Sequence, residues 1–327
     1  MNTDYITLLS FVRSKFALHV SIPICLIGII SELCSIIIFL SLKTFRQNSC
    51  AIYLMSMASF NLIRLILSSP FLAISMAFSI NFTSVIFFYC QLRNFVVAVC
   101  NFSALSCLCL AIIDQYFATC SRQRWQQWSN IRIAHRAIII VTLIWIGHAI
   151  PFFLYFNELS SINPALCISS NLILFEYNVY VYYFTYGNLF PLIAVIFGLL
   201  AFRNARNLTT QINPLVRREL DKQSTTMVLV EICVYVCTYI PFSITYAISS
   251  FNTNKDPIFL AQLRLVSAIT LTMTFLSNGV SIVCLFSNKI EMFFSFLFFS
   301  LEFILHLYLC FKNDFVLKLN MFSMICI

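Results

Sequence analysis

The chain has 327 residues, 61% of them hydrophobic and 10% charged, with only five Gly and a net charge of +8. A water-soluble core cannot bury that much apolar surface, so lipid has to serve as solvent for much of it, and an ordinary soluble domain is excluded. The positive balance sits in short loops between apolar runs, so it is read as membrane topology, with no nucleic acid among the expected partners.

Seven apolar stretches run over residues 17–42, 51–78, 87–113, 134–156, 179–202, 226–250 and 259–286. Each reaches the roughly 20 helical residues needed to cross a hydrocarbon core about 30 Å thick. The expected fold is an all-α membrane protein, a seven-transmembrane helix bundle embedded in the lipid bilayer. The first span carries Glu32. The second carries Asn61 and Arg64, followed by Pro70. A carboxylate near the bilayer centre costs roughly 2.5–3.5 kcal/mol, so Glu32 requires protonation or a partner, and Arg64, one helical turn from Asn61, is the candidate partner. The third span opens on Cys90 and ends at Asp114-Gln115-Tyr116. These 24 residues measure about 36 Å of helix, one membrane surface to the other. Trp145 and Pro151 mark the fourth span, Pro191 and a run of tyrosines (Tyr180, Tyr182, Tyr183, Tyr186) the fifth. Glu231 and Tyr239-Ile240-Pro241 mark the sixth, Thr272 and Asn278-Gly279 the seventh. A proline within a span removes one backbone hydrogen bond and kinks the helix, which a bundle tolerates because neighbours satisfy the freed carbonyl.

Cationic residues collect on the cytoplasmic side of short loops. Lys43 and Arg46 follow the first span. Arg122, Arg124, Arg132 and Arg136 follow the third, five further cations from Arg203 to Lys222 follow the fifth, and Lys289 follows the seventh. With Arg13, Lys15, Arg93, Lys255 and Arg264 on the other side, the count is twelve against five. The N-terminus is therefore expected outside and the C-terminus in the cytoplasm. No cleaved signal peptide is expected, because residues 1–17 lack a small-residue cleavage site after a short apolar core. The sequon at Asn81 falls in the first outer loop and is the expected glycosylation site; glycan on Asn207, in the third inner loop, with none on Asn81 would show the expected orientation to be wrong. Most of the 14 Cys lie inside apolar spans, where a thiol behaves as a small hydrophobe (Cys34, Cys100, Cys107, Cys109, Cys233, Cys237). Cys90 and Cys167 lie on the oxidising face, and a bridge between them would pin the second outer loop over the third helix.

With these landmarks in order, residues 17–290 resemble the rhodopsin-like G-protein-coupled receptors, as a divergent peptide-receptor-like or orphan member. In that family an outer Cys and an inner Asp-Arg-Tyr triplet have the spacing of Cys90 and Asp114. The resemblance implies a plasma-membrane receptor for an extracellular ligand, acting on a heterotrimeric G protein, without enzymatic activity or cofactor. It also implies coupling and activation roles for Asp114, Gln115, Tyr116, Asp221, Tyr239, Pro241 and Asn278.

Several positions depart from the family pattern. Gln115 replaces the triplet Arg, so a clasp to Asp221 would be an amide–carboxylate bond, weaker than a charge pair. The resting state is then held less firmly and basal activity is raised. Glu32 stands where the family has Asn, and Asn61 where it has Asp, so that Glu32, Asn61 and Arg64 are expected to form a core polar network. Gly279 replaces a Pro and Ile282 a Tyr, two parts of the family's activation switch. Val97 stands where amine receptors carry Asp, and Thr272 where visual pigments carry the retinal Lys, so neither an amine nor retinal is the expected ligand. Arg93, Val97, Arg264 and Tyr183 are the ligand-binding candidates. Cationic and aromatic groups together suit a peptide or another ligand bearing an acid.

Residues 1–16 are expected to be a short extracellular N-terminus and 291–327 an apolar C-terminal extension, either an eighth segment or a reading past the true coding end. The competing readings are a small transporter or channel, or a divergent receptor deficient in coupling. Transporters commonly show internal repeats, and the two halves have no convincing self-similarity. The four His are isolated, without a metal-ligand cluster, phosphate loop or nucleophile elbow.

Overall fold

A computed structural model describes residues 2–78, 87–120, 122–158, 167–169, 171–207, 215–251 and 256–286. Asn81 and the extension 291–327 lie outside them, as do the side chains of Cys90, Cys167 and Asp221. Among the described residues seven helical stretches are long and apolar enough to cross a membrane, and the fold is an all-α seven-helix bundle.

The first crossing joins α1 (Asn2–Phe16), a π turn (Ala17–Ser21) and α2 (Ile22–Ser41). Residues 2–16 are thus helical and continuous with the first span, packing on the end of the second, where Ser14 Oγ donates to the Ala77 carbonyl. A short α3 (Lys43–Arg46) leads to α4 (Ser49–Leu67), capped by Asn48, whose side chain accepts from the Cys50 N–H at 2.9 Å. The helix breaks at Ser68 and resumes as α5 (Ser69–Phe78), with Pro70 in its first turn, where a missing N–H costs nothing. The third crossing is α6 (Phe87–Thr119), followed by α7 (Gln123–Gln126) and α8 (Ile131–Tyr155). Strands β1 (Phe156–Glu158) and β2 (Cys167–Ser169) pair antiparallel, Glu158 opposite Cys167, as the one sheet among the described residues. The fifth crossing joins α9 (Leu172–Phe184), a π turn (Thr185–Leu189) and α10 (Phe190–Asn207); α11 (Leu215–Phe251) and α12 (Pro257–Phe286) complete the bundle.

Both π turns have one cause. Each lies immediately before a proline-bearing turn, Pro23 and Pro191, whose ring would strike the carbonyl four residues back. Widening the turn relieves that clash. The bond closing each turn accordingly reaches back five residues, from Ile22 N–H to the Ala17 carbonyl and from Phe190 N–H to the Thr185 carbonyl.

Helix α6 is the hub, touching α4, α8, α10 and α11. Its small residues make that possible: Ala98, Cys100, Ser103, Ala104, Cys107 and Ala111 are all buried. In lipid, close backbone approach through small side chains replaces the hydrophobic drive between helices. Cys100, Cys107 and Cys109 are free buried thiols used as small packing groups, whereas Cys233 faces outward. Gly28 serves the same end between α2, α4 and α12: a Cβ there would meet Leu65 Cδ1 at 3.3 Å and the Phe275 carbonyl at 3.6 Å. Helix α8 buries only Ala134, Ala149 and Phe152, and exposes Ile139, Ile140, Leu143, Ile144 and Leu154. That face suits acyl chains and would be untenable in water.

Candidate functional site

A cavity of about 430 Å³ opens among the helices at the end of the bundle opposite Asp114. Helix α6 lines it with Arg93, Asn94, Val97, Ala98 and Asn101, a three- and four-residue spacing that places them on one face. Arg64 and Ser68 enter from the second crossing, Asn178, Tyr182 and Tyr186 from the fifth. Tyr239 and Tyr246 enter from α11, Ser267 and Thr274 from α12.

Stacked aromatic rings form the floor. Tyr182 and Tyr186 lie 5.0 Å apart at 18°, and Tyr186 faces Tyr239 at 5.5 Å and 5°. Tyr239 also packs on Tyr235 at 4.7 Å, and the Tyr235 hydroxyl donates to the Tyr186 carbonyl at 3.2 Å. Phe102 on α6 meets Tyr182 and Tyr186, each at 5.1 Å, and stacks on Trp145 at 4.5 Å. The Trp145 indole N–H donates to Ser106 Oγ at 2.9 Å, so both ends of the indole are fixed.

Two of the four ligand-binding candidates fall outside this cavity. Arg93 and Val97 line it, but Arg264 and Tyr183 do not: both are exposed. The fifth crossing turns Tyr182 and Tyr186, four residues apart, inward together, and leaves Tyr180 and Tyr183 facing outward. The expected Glu32–Arg64 pair is also replaced. Glu32 is fully buried and its Oε1 accepts from Asn61 Nδ2 at 3.0 Å, while Glu32 Oε2 and Arg64 Nε and Nη2 are buried without hydrogen-bond partners. Asn61 and Arg64 are three residues apart on α4; Asn61 points at α2 and Arg64 lines the cavity. Asn61→Leu is therefore expected to destabilise the protein by about 1–3 kcal/mol, because it strands both carboxyl oxygens of Glu32. Glu32→Gln, which keeps an acceptor for Asn61, should change the melting temperature in detergent far less.

At the opposite end, Asp114 Oδ2 accepts from Ser49 Oγ on α4 at 2.7 Å, and Ser49 Oγ is bonded to Ser129 Oγ at 2.9 Å. Gln115 is 1% exposed and held in the core of α6, where Thr119 Oγ1 donates to its carbonyl at 2.8 Å. Tyr116 sets its ring edge-on to Phe197 of α10 at 5.6 Å. Asn278 is buried in α12, its Nδ2 donating to the Thr274 carbonyl at 3.4 Å. Tyr239 and Pro241 sit in the second half of α11, with Asp221 in the first two turns of the same helix. Sequence reasoning misses Asn94 and Asn101, which their spacing from Val97 could have revealed, and Asn178, which donates to the Tyr246 hydroxyl at 3.2 Å.

Residues 33–280 match the profile described as 7 transmembrane receptor (rhodopsin family). The chain belongs to that family. No curated protein matches it. The receptor is a multi-pass membrane protein of a signalling family whose members are receptors and not enzymes. Its cavity and its Asp114-Gln115-Tyr116 segment occupy opposite ends of the hub helix α6.

Proposed function

We propose that the receptor converts binding of an extracellular acidic ligand, of the neuropeptide kind, into activation of a heterotrimeric G protein at the plasma membrane. In this reading the N-terminus is outside, as the loop charges favour, and residues 17–290 form the receptor domain. The cavity takes the ligand, with a Cys90–Cys167 bridge holding the outer loop above it and Asn81 glycosylated. Asp114, Gln115, Tyr116 and Asp221 face the G protein.

One observation carries the reading. Tyr239 lines the cavity and lies two residues before Pro241 in α11, a single helix that runs on to Asp221. A ligand that displaces the Tyr186–Tyr239 stack therefore acts on α11 at its proline, where one backbone hydrogen bond is already missing. Coupling needs such an element with two arrangements that the ligand can bias.

The test is guanine-nucleotide exchange on purified heterotrimers by membranes bearing the receptor at matched surface level. Exchange above that of empty membranes is the expected result. Solute flux or current without exchange would replace this reading with a transporter or channel.

A further inference from the structure

Arg64 is 5% exposed, lines the cavity, and keeps Nε and Nη2 buried without a hydrogen-bond partner. Three neighbours in the same lining share that condition: Asn178 Oδ1, Tyr186 Oη and Ser267 Oγ are buried and unpaired. Native proteins pair nearly all such atoms, and four residues of this kind in one cavity wall mark a surface built to be completed from outside the chain. Among the described residues of the lining, Arg64 and Arg93 are the charged ones and no Asp or Glu appears. Arg93 Nε donates to Ser68 Oγ at 3.2 Å, which braces it against the second crossing. Glu32, the acid with which Arg64 interacts electrostatically, has Oε1 committed to Asn61.

We propose that Arg64 is the anchor for a ligand carboxylate. A guanidinium presents a planar fork that matches the two carboxylate oxygens, and charge-assisted pairs of this kind strengthen where water is excluded. Tyr182, Tyr186, Tyr239, Tyr246, Phe242 and Phe275 wall the same space, so the body attached to the acid is apolar or aromatic. Asn178 Oδ1 calls for a donor on that body. About 430 Å³ suits a small amphiphilic acid or the last residues of a peptide with a free C-terminus, and the two share the carboxylate. This rests on the reading of the cavity as the ligand site.

The experiment uses the full chain in detergent with two probes, 3-(4-hydroxyphenyl)propionate and the tripeptide Gly-Phe-Phe, each beside its neutral carboxamide. The acids are expected to raise the melting temperature and the carboxamides to leave it unchanged. Stabilisation by the propionate alone identifies a free acid, by the tripeptide alone a peptide terminus. Arg64→Gln should weaken acid binding about 10- to 100-fold, the range of a hydrogen bond to a charged group, and Arg64→Lys should restore part of it. Without any probe, Arg64→Met should raise the melting temperature, because it removes a buried guanidinium whose Nε and Nη2 have no hydrogen-bond partner. A structural role for Arg64 predicts the reverse. An Arg64→Met chain less stable than the parent, acids that bind Arg64→Gln as tightly as the parent, or a parent that neither acid stabilises overturns the proposal. No G protein is present in these arms, so acid binding without nucleotide exchange preserves the anchor and sinks the coupling reading, and exchange indifferent to Arg64 does the opposite.

Discussion

Phe102→Ala is expected to destabilise the receptor by about 3–5 kcal/mol, the range for removing a fully buried aromatic ring. Phe102 is 0% exposed and joins three crossings: it stacks on Trp145 of α8, and meets Tyr182 and Tyr186 of the fifth crossing from its place on α6. His148, also on α8, packs edge-on to the same ring at 5.5 Å. Aromatic pairs are worth about 0.5–1.5 kcal/mol each beyond their buried area, so truncation loses several such contributions as well as leaving a cavity. Lipid offers no compensating hydrophobic collapse, since acyl chains solvate a loosened helix as well as its neighbours do. Phe102→Leu, which refills much of the volume, should cost less than half as much. The measurement is thermal inactivation in detergent, with surface level as a second readout. An alanine variant as stable as the parent would mean that α8 is held by something other than this ring cluster.

The same cluster explains which features are legible in the sequence. Spans are readable because an apolar run of about 20 residues has few other uses, and the prolines at 70, 151, 191 and 241 announce where helices break or bend. The helical state of residues 2–16 is hidden by Asp4, Arg13 and Lys15, which lower the local hydropathy without opposing helix formation. Inward and outward faces are not readable either. In water a helix separates apolar from polar faces, but here α8 turns isoleucines to the exterior and α6 turns serines and cysteines to the core, so hydropathy carries no sign of burial. That is why spacing does not distinguish Tyr182 and Tyr186 from Tyr180 and Tyr183, and why it pairs Arg64 with Glu32. The choice between Asn61 and Arg64 depends on the rotation of α4, which α6 sets by packing. Spacing alone identifies Asn61 and Arg64 as neighbours on α4 without saying which of them meets α2.

Gln115→Arg is expected to lower basal nucleotide exchange about fivefold. Gln115 is nearly inaccessible near the C-terminal end of α6, beside an Asp114 carboxylate already tied through Ser49 to α4. A neutral amide at this position makes a hydrogen bond to a carboxylate in which one partner is ionised, whereas in a guanidinium both partners are ionised and two parallel N–H groups can donate, a contact stronger by roughly 1 kcal/mol. The difference, roughly 1 kcal/mol, shifts a two-state equilibrium about fivefold towards whichever state holds the contact. If the resting arrangement holds it, through Asp221 on α11, the parent chain is the more active of the two and arginine quiets it. Gln115→Leu, which removes the amide and adds no charge, should move exchange upward from the parent, so a variant pair spans both directions at one buried site. Exchange that rises on Gln115→Arg would place the contact in the active arrangement, with Gln115 then a weakened coupling residue, and would overturn the expectation of raised basal activity.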